Sequence, residues 1–301
     1  MNYKIIIKII FSILLIAIII YSINFNDFVN SIKNANILFL LIGLSSTIPG
    51  ILISTYKWQI LLISQNIKRV KFIYLWKLYY IGMFFNNFLP TEVGGDVVRS
   101  YSVGKRVNKL TESFAAVTME RLTGLFAMLL YGVLGIIMNW DFALKFGLTK
   151  IGVICFGIAL IFVIIFFNKR LMKILYDILD KTPVAKMVYK MKSFYLAIVD
   201  YINKKEVLFK SMFWSVIFQL IAITSIYFFL LSVNINIDFS LLILIVPMIT
   251  IISLLPIGIN GIGLREGSFV FLFSLVGVNK SDAFVVSLFY RVCTLLPSIL
   301  G

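Results

Sequence analysis

Apolar runs close to twenty residues long recur along this chain of 301 residues. A bilayer core about 30 Å thick is crossed by about 20 helical residues. Backbone polar groups in lipid must be satisfied within the segment, so each such run is expected to be helical. With 61% hydrophobic residues and a mean hydropathy of +1.02, the chain has too little polar surface to cover itself in water. It therefore reads as an all-α polytopic membrane protein. A single transmembrane domain fills 1–301 and leaves no room for a soluble catalytic one. The 28 Phe fit lipid-facing surface better than an aromatic cofactor site.

Charge orients the spans. The net charge is +15 with no His. The basic residues stand in short loops between apolar runs, so they follow the positive-inside pattern and do not point to nucleic acid. Without His the chain lacks the usual acid/base near neutral pH and the commonest metal ligand. Cys155 and Cys293 both lie in apolar runs and suggest neither a metal site nor a disulfide, so no cofactor is expected. Lys4 and Lys8 precede the first apolar stretch, which ends without a small-x-small cleavage site and reads as an uncleaved span over 5–23. A second span covers 37–56. The loop 57–71 carries Lys57, Lys68, Arg69 and Lys71 with no acid, which puts it and the N-terminus in the cytoplasm. Spans follow over 112–138, 148–167, 208–232 and 282–301. Residues 168–210 hold ten Lys/Arg against four acids and form a cytoplasmic loop. Apolar residues recur at helical spacing from Leu171 to Leu179 and from Val184 to Ile198. These amphipathic helices lie on anionic headgroups or pack on the protein, and both readings stand.

Two segments are not ordinary spans. One breaks at Leu89-Pro90 and runs through Glu92, Gly94, Gly95, Asp96 and Arg99. The other breaks at Leu255-Pro256 and runs through Asn260, Gly261, Gly263, Arg265 and Glu266. Full crossing by 72–89 would put Lys105, Arg106 and Lys109 outside, whereas a re-entrant hairpin keeps them inside. In each segment an Arg follows the Leu-Pro by nine residues, with a glycine pair between. Later, Phe114 precedes Arg121 by seven residues and Phe284 precedes Arg291 by seven. The motifs over 84–121 and 250–291 thus form a repeat, and the count of spans makes it an inverted-topology repeat. About six to eight membrane segments result, two of them broken hairpins. Paired Pro/Gly-interrupted segments in two halves point to a binding site near the midplane. Convergent helix breaking is the plainer alternative.

Each charge inside a bilayer costs at least a few kcal/mol unless paired or hydrated. Arg99, Arg265 and Arg291 suit the oxygens of a lipid phosphate, with N–H donors from the Gly-rich turns and the helix starts beside them. Glu92, Asp96, Glu120 and Glu266 would neutralise these arginines and Arg121 when no lipid is bound. Internal ion pairing explains any one of these residues equally well, Glu120 beside Arg121 best of all. Asn86, Asn87 and Asn260 either line the cavity or bond neighbouring helices.

The run Phe84-Phe85-Asn86-Asn87-Phe88-Leu89-Pro90, Gly94-Gly95-Asp96, Arg99, Glu120-Arg121, Gly261-x-Gly263 and Arg265-Glu266-Gly267 resembles the lysylphosphatidylglycerol synthase transmembrane, or flippase-like, family over essentially the whole chain. The resemblance implies a multi-pass protein of a prokaryotic cytoplasmic membrane that translocates an anionic lipid, either a phospholipid or a polyprenyl-phosphate-linked sugar. Partners would be membrane lipids and enzymes of envelope glycans or lipid modification. No aminoacyl-transferase segment accompanies the membrane part in these residues, so aminoacyl transfer is not implied. The rival readings are an accessory subunit or scaffold for a glycosyltransferase or lipid-modifying enzyme, and a membrane-embedded transferase.

Overall fold

A computed structural model describes residues 3–68, 70–88, 93–154, 156–157, 185–255 and 261–300. Among these residues the chain is helical with no strand. The first helices are α1 (Tyr3–Ser22), α2 (Phe25–Lys33), α3 (Ile37–Ser45) and α4 (Thr47–Ser64). They are followed by α5 (Phe72–Phe88), α6 (Gly94–Val107), α7 (Leu110–Met138) and α8 (Trp140–Lys145). The second half holds α9 (Ala185–Val199), α10 (Lys205–Ser232), α11 (Phe239–Ser253), α12 (Leu264–Leu275) and α13 (Lys280–Ile299).

Four described helical stretches are long and apolar enough to cross a membrane: Ile37–Ser64, Leu110–Met138, Lys205–Ser232 and Lys280–Ile299. The pair Ile7–Ser22 and Phe25–Lys33, bent by 88°, makes a fifth. The sequence expectation of six to eight segments is therefore slightly high. The expectation counted the hairpins, whose arms α5, α6, α11 and α12 hold 17, 14, 15 and 12 residues and are too short to cross, and the expected span 148–167 lies mostly outside the described residues.

The turns between helices gather at two ends. Lys109 Nζ donates to the carbonyls of Gln65 and Asn66, and the Tyr201 hydroxyl donates to the Leu61 carbonyl. The C-termini of α4 and α6, the start of α7 and the 200–204 turn thus share one end, which carries Lys68, Lys71, Lys105, Arg106, Lys109, Lys204 and Lys205. We call it the basic end. At the other, polar end the Asn24 N–H donates to Ser281 Oγ, the Asn36 N–H to the Ser232 carbonyl, and Asn139 Nδ2 to the Ser240 carbonyl. Asparagine and aspartate caps start the helices here: Asn24 for α2, Asn36 for α3, Asp238 for α11 and Asn279 for α13. At the basic end, Asn66 and Asn108 adopt the left-handed conformation that ends a helix.

These ends reveal the topology. α5 leaves the basic end and α6, packed on it, returns there; α11 leaves the polar end and α12, packed on it, returns there. The two hairpins enter from opposite faces; the residues that connect their arms, 89–92 and 256–260, lie outside the described residues. α7 starts at the basic end and α13 at the polar end. Helix packing is preserved when α4–α7 are exchanged with α10–α13. The α4–α5, α5–α6, α6–α7 and α4–α7 interfaces recur as α10–α11, α11–α12, α12–α13 and α10–α13. The α7–α11 interface exchanges with α13–α5, while α4 packs on α10 and is its own counterpart. This is the packing of an inverted-topology repeat around a two-fold axis.

Glycine sets the closest approach. A Cβ on Gly95 would run into the Gly82 carbonyl oxygen, so α5 and α6 meet backbone to backbone. In the 168–210 region, Ile198 and Tyr201 are buried in one cluster with Trp58, Leu61 and Leu62, and α9 packs on α7. This stretch therefore packs on the protein, while Leu171–Leu179 lies outside the described residues. The structure also corrects the loop 57–71: α4 runs on to Ser64, and Lys57 is buried inside it.

Both Lys105 and Lys280 are exposed, at opposite ends. In a Cys155→Ser/Cys293→Ser background, Lys105→Cys and Lys280→Cys will react with an impermeant maleimide from opposite sides of sealed vesicles. Labelling of both from one side would refute the inverted arrangement.

Candidate functional site

The site grows from the start of α6. Gly94 and Gly95 open the helix, and the Gly95 N–H donates to Asn86 Oδ1 at 2.7 Å. Asp96, the third helical residue, is buried and accepts from two arginines. Arg99 reaches Oδ1, with Nε at 3.1 Å, and Arg121 Nε on α7 reaches Oδ2 at 2.7 Å. Arg99 is 3% exposed and makes a second ion pair, Nη1 to Glu120 Oε2, at 2.8 Å. Its guanidinium lies over the rings of Trp58, at 4.9 Å, and Tyr79, at 4.6 Å. The Tyr79 hydroxyl donates to Glu120 Oε1 at 2.9 Å. Lys57 Nζ donates to the Glu120 carbonyl and to Ser215 Oγ on α10.

One member of this cluster faces open space. The Arg121 side chain is 55% exposed, against 10% for its partner Asp96. It borders a cavity of about 210 Å³ lined also by Ser54, Tyr79, Asn86, Asp96 and Arg99. A neighbouring cavity of about 120 Å³ shares Gly50, Ile51, Met83 and Phe218 with it and reaches Tyr290 and Thr294 on α13. The two adjacent cavities lie between the first-half cluster and α13.

The second half repeats the device. Glu266, third residue of α12, is buried; it accepts the Gly263 N–H on Oε2 at 2.7 Å and Arg291 Nε on Oε1 at 3.0 Å. Asp96 to Arg121 and Glu266 to Arg291 both span 25 residues. The helix starts Gly94 and Leu264, the helix starts Leu110 and Lys280, the acids and the arginines all stand 170 positions apart. The same spacing sets Phe269 against Arg99 and Tyr290 against Glu120. Where the first half has a buried ion pair, the second has two rings 5.7 Å apart. Arg265 lies 5.8 Å over Tyr290 and corresponds to Gly95, so the sequence pairing of Arg99 with Arg265 is not the structural one.

The structure also redirects the Gly-rich turns. The Gly95 N–H is taken by Asn86, and the Gly263 N–H by Glu266. The Gly261 carbonyl accepts from the Arg265 N–H, and Asn87 Nδ2 donates to the Thr294 carbonyl. The chain's own side chains thus cap helix starts that the sequence offered to a bound anion. Glu92 and Asn260 lie outside the described residues. Sequence reading missed Lys57, Trp58, Tyr79 and Ser215. The signal for Lys57 was the apolar pattern continuing through Leu61, Leu62 and Ile63, which extends the span past it.

Among the described residues of the membrane interior, Lys57, Arg99, Arg121, Arg265 and Arg291 face three carboxylates: Asp96, Glu120 and Glu266.

A family model described as the lysylphosphatidylglycerol synthase TM region matches residues 5–301. A UPF0104 membrane protein of Pyrococcus horikoshii is 25% identical over 330 aligned positions, covering 97% of this chain and 94% of the relative. No solved structure matches.

The ring pair in the second half predicts how the first half tolerates substitution. Glu120→Ala leaves Arg99 buried without one partner and will cost about 3–5 kcal/mol. Arg99→Phe with Glu120→Tyr copies the second half and will recover most of that loss. Thermal unfolding in detergent measures both; a double variant no more stable than Glu120→Ala would refute the equivalence.

Proposed function

The chain belongs to the lysylphosphatidylglycerol synthase transmembrane-region family, and from that premise we propose that it moves an anionic lipid between the leaflets of a prokaryotic cytoplasmic membrane. The observation that carries the reading is the repeated acid–arginine pair at the start of the returning helix in each of two hairpins that enter from opposite faces, with positive charge in excess among the described residues.

A bare charge in hydrocarbon costs from a few to more than ten kcal/mol, so an anionic headgroup does not cross unaided at a useful rate. Arg121 offers an exchange. Its guanidinium releases Asp96 and takes a phosphate oxygen, replacing one charge-assisted bond by another. Arg99 stays fixed by Glu120, Trp58 and Tyr79 and holds Asp96 in place meanwhile. The headgroup then passes by way of the two adjacent cavities to the second half, where Arg291 and Arg265 stand, while the apolar tails remain in the bilayer. Alternating access of the two inverted halves exposes each arginine set to one leaflet in turn. Fork-shaped guanidinium recognises the phosphate shared by phospholipids and polyprenyl-phosphate-linked sugars. The positive-inside rule assigns the basic end to the cytoplasm, and the start of α1 with it.

Liposomes with a fluorescent anionic phospholipid, quenched from outside, test this directly. Wild-type protein will equilibrate the label between leaflets. Arg121→Ala and Arg291→Ala will each slow this by about tenfold or more, as expected for loss of a charged hydrogen bond. Equilibration no faster than in protein-free liposomes, for phospholipid and for polyprenyl-phosphate sugar alike, would sink the proposal.

A further inference from the structure

At the basic end, outside the cluster just described, Asn66, Ile67, Lys68, Arg106, Asn108 and Lys109 line an open pocket of about 730 Å³. Ligand pockets for small molecules run roughly 300–1,000 Å³. The charged cavity at Arg121 is below that range and this one lies within it. Among the described residues its lining includes three cations and no carboxylate, and none of the three is in an ion pair. Two of the cations are held in place. The Arg106 guanidinium stacks over the Tyr74 ring at 4.5 Å, and Lys109 Nζ donates to the carbonyls of Gln65 and Asn66. The left-handed turns at Asn66 and Asn108 bring the two loops to face each other.

Solvated lysines at a cytoplasmic face are ordinary, and the repeat supplies the comparison that separates this pocket from them. The corresponding turn of the second half, with Asn279 standing 170 positions after Lys109, also borders a pocket, of about 280 Å³. That pocket is lined by Asp27, Ser31, Asn234, Asn279 and Asp282 among others, with two carboxylates and no cation. One architecture thus ends in a wide cationic pocket on one face and a narrower anionic one on the other. Basic pockets between membrane helices at the interface suit phosphate-bearing headgroups.

We propose that the pocket at the base of the first hairpin is a binding site for a phosphate group, with Lys68, Arg106 and Lys109 as its ligands, separate from the buried acid–arginine cluster. Arg106 presents its fork to two phosphate oxygens, and Lys68 and Lys109 neutralise the remaining charge. The site stands independently of any lipid movement. Its phosphate comes from a lipid headgroup at the interface or from a soluble phosphate ester.

The test titrates full-length protein in a non-ionic detergent at low salt with two probes, dihexanoylphosphatidylglycerol and inorganic pyrophosphate, by calorimetry. Wild type will bind at least one. Lys68→Gln/Arg106→Gln/Lys109→Gln will weaken that binding by about a hundredfold. Arg106→Lys, which keeps the charge but loses the fork, will weaken it by about tenfold. Lys105→Gln, at the same end but outside the pocket, will leave it unchanged. Preference for the lipid probe identifies a headgroup site, and equal or tighter pyrophosphate binding a soluble phosphate; either supports the site. Three results overturn it: no binding of either probe by wild type, a triple variant that binds like wild type, or an equal loss in Lys105→Gln. A protein that binds the probe yet equilibrates no lipid ends the translocation reading and leaves this site intact.

Discussion

Everything in the membrane interior is arranged around a carboxylate at the third position of a returning hairpin helix and an arginine 25 residues later on the next helix. Neither charge is tolerable alone at that depth, so each fixes where the other must be. The pairing ties α6 to α7 and α12 to α13, and the rest follows from it. The hairpin must bring its helix start to the level of the arginine, so its two arms stop part-way and cannot cross. For α6 to reach that position it must lie directly on α5, and Gly95 against the Gly82 carbonyl makes room for it. The pairing also uses the helix start itself: in α12 the same Glu266 accepts both the Gly263 N–H and Arg291.

The two halves share this frame and differ in what fills it. In the first, Arg99 and Glu120 form a second buried ion pair; in the second, Phe269 and Tyr290 occupy the equivalent positions. A buried ion pair and a packed apolar pair of similar size stabilise a fold to similar extents, so the frame does not require the charges. What the charges add is a polar wall to a cavity: Arg99, Asp96 and Arg121 line it together with Tyr79 and Asn86. The asymmetry places the more densely charged cluster in the half whose hairpin opens toward the basic end.

The sequence made much of this legible, for identifiable reasons. Long apolar runs mark α4, α7, α10 and α13 because a crossing helix must be apolar along most of its length. The Leu-Pro breaks and glycine pairs mark the hairpins because proline and a missing Cβ are visible in one dimension. Asp96, Glu120, Arg121, Glu266 and Arg291 stand out because a charge in an apolar context is conspicuous. Lys57 was read as the start of a cytoplasmic loop, since its neighbours Lys68 and Lys71 are one. The helix runs on past it to Ser64, as the apolar residues Leu61, Leu62 and Ile63 indicate once the lysine is not taken for a boundary. Arg99 and Arg265 were paired because both follow a Leu-Pro by nine residues. The helix starts set a different register, in which Arg265 matches Gly95. Tyr79 and Trp58 were invisible as members of the cluster, because an aromatic in a membrane helix is ordinary until an arginine is found against its face.

Lys57 shows how the halves are joined. It rises from α4, the helix that packs on its own counterpart α10 across the two-fold axis. Its ammonium bonds to the Glu120 carbonyl in the first-half cluster and to Ser215 Oγ on α10 in the second half. Coupling between distant sites needs a physical element that both can bias, and this ammonium touches both. A shift of α7 that moves Glu120 must move the acceptor of Lys57 as well, and with it the contact to Ser215. Two groups share one buried cation, and neither can move away without leaving it under-bonded at a depth where an uncompensated charge costs several kcal/mol. Lys57 thereby ties α4 to α7 and to α10 through a single ammonium, with one contact in each half.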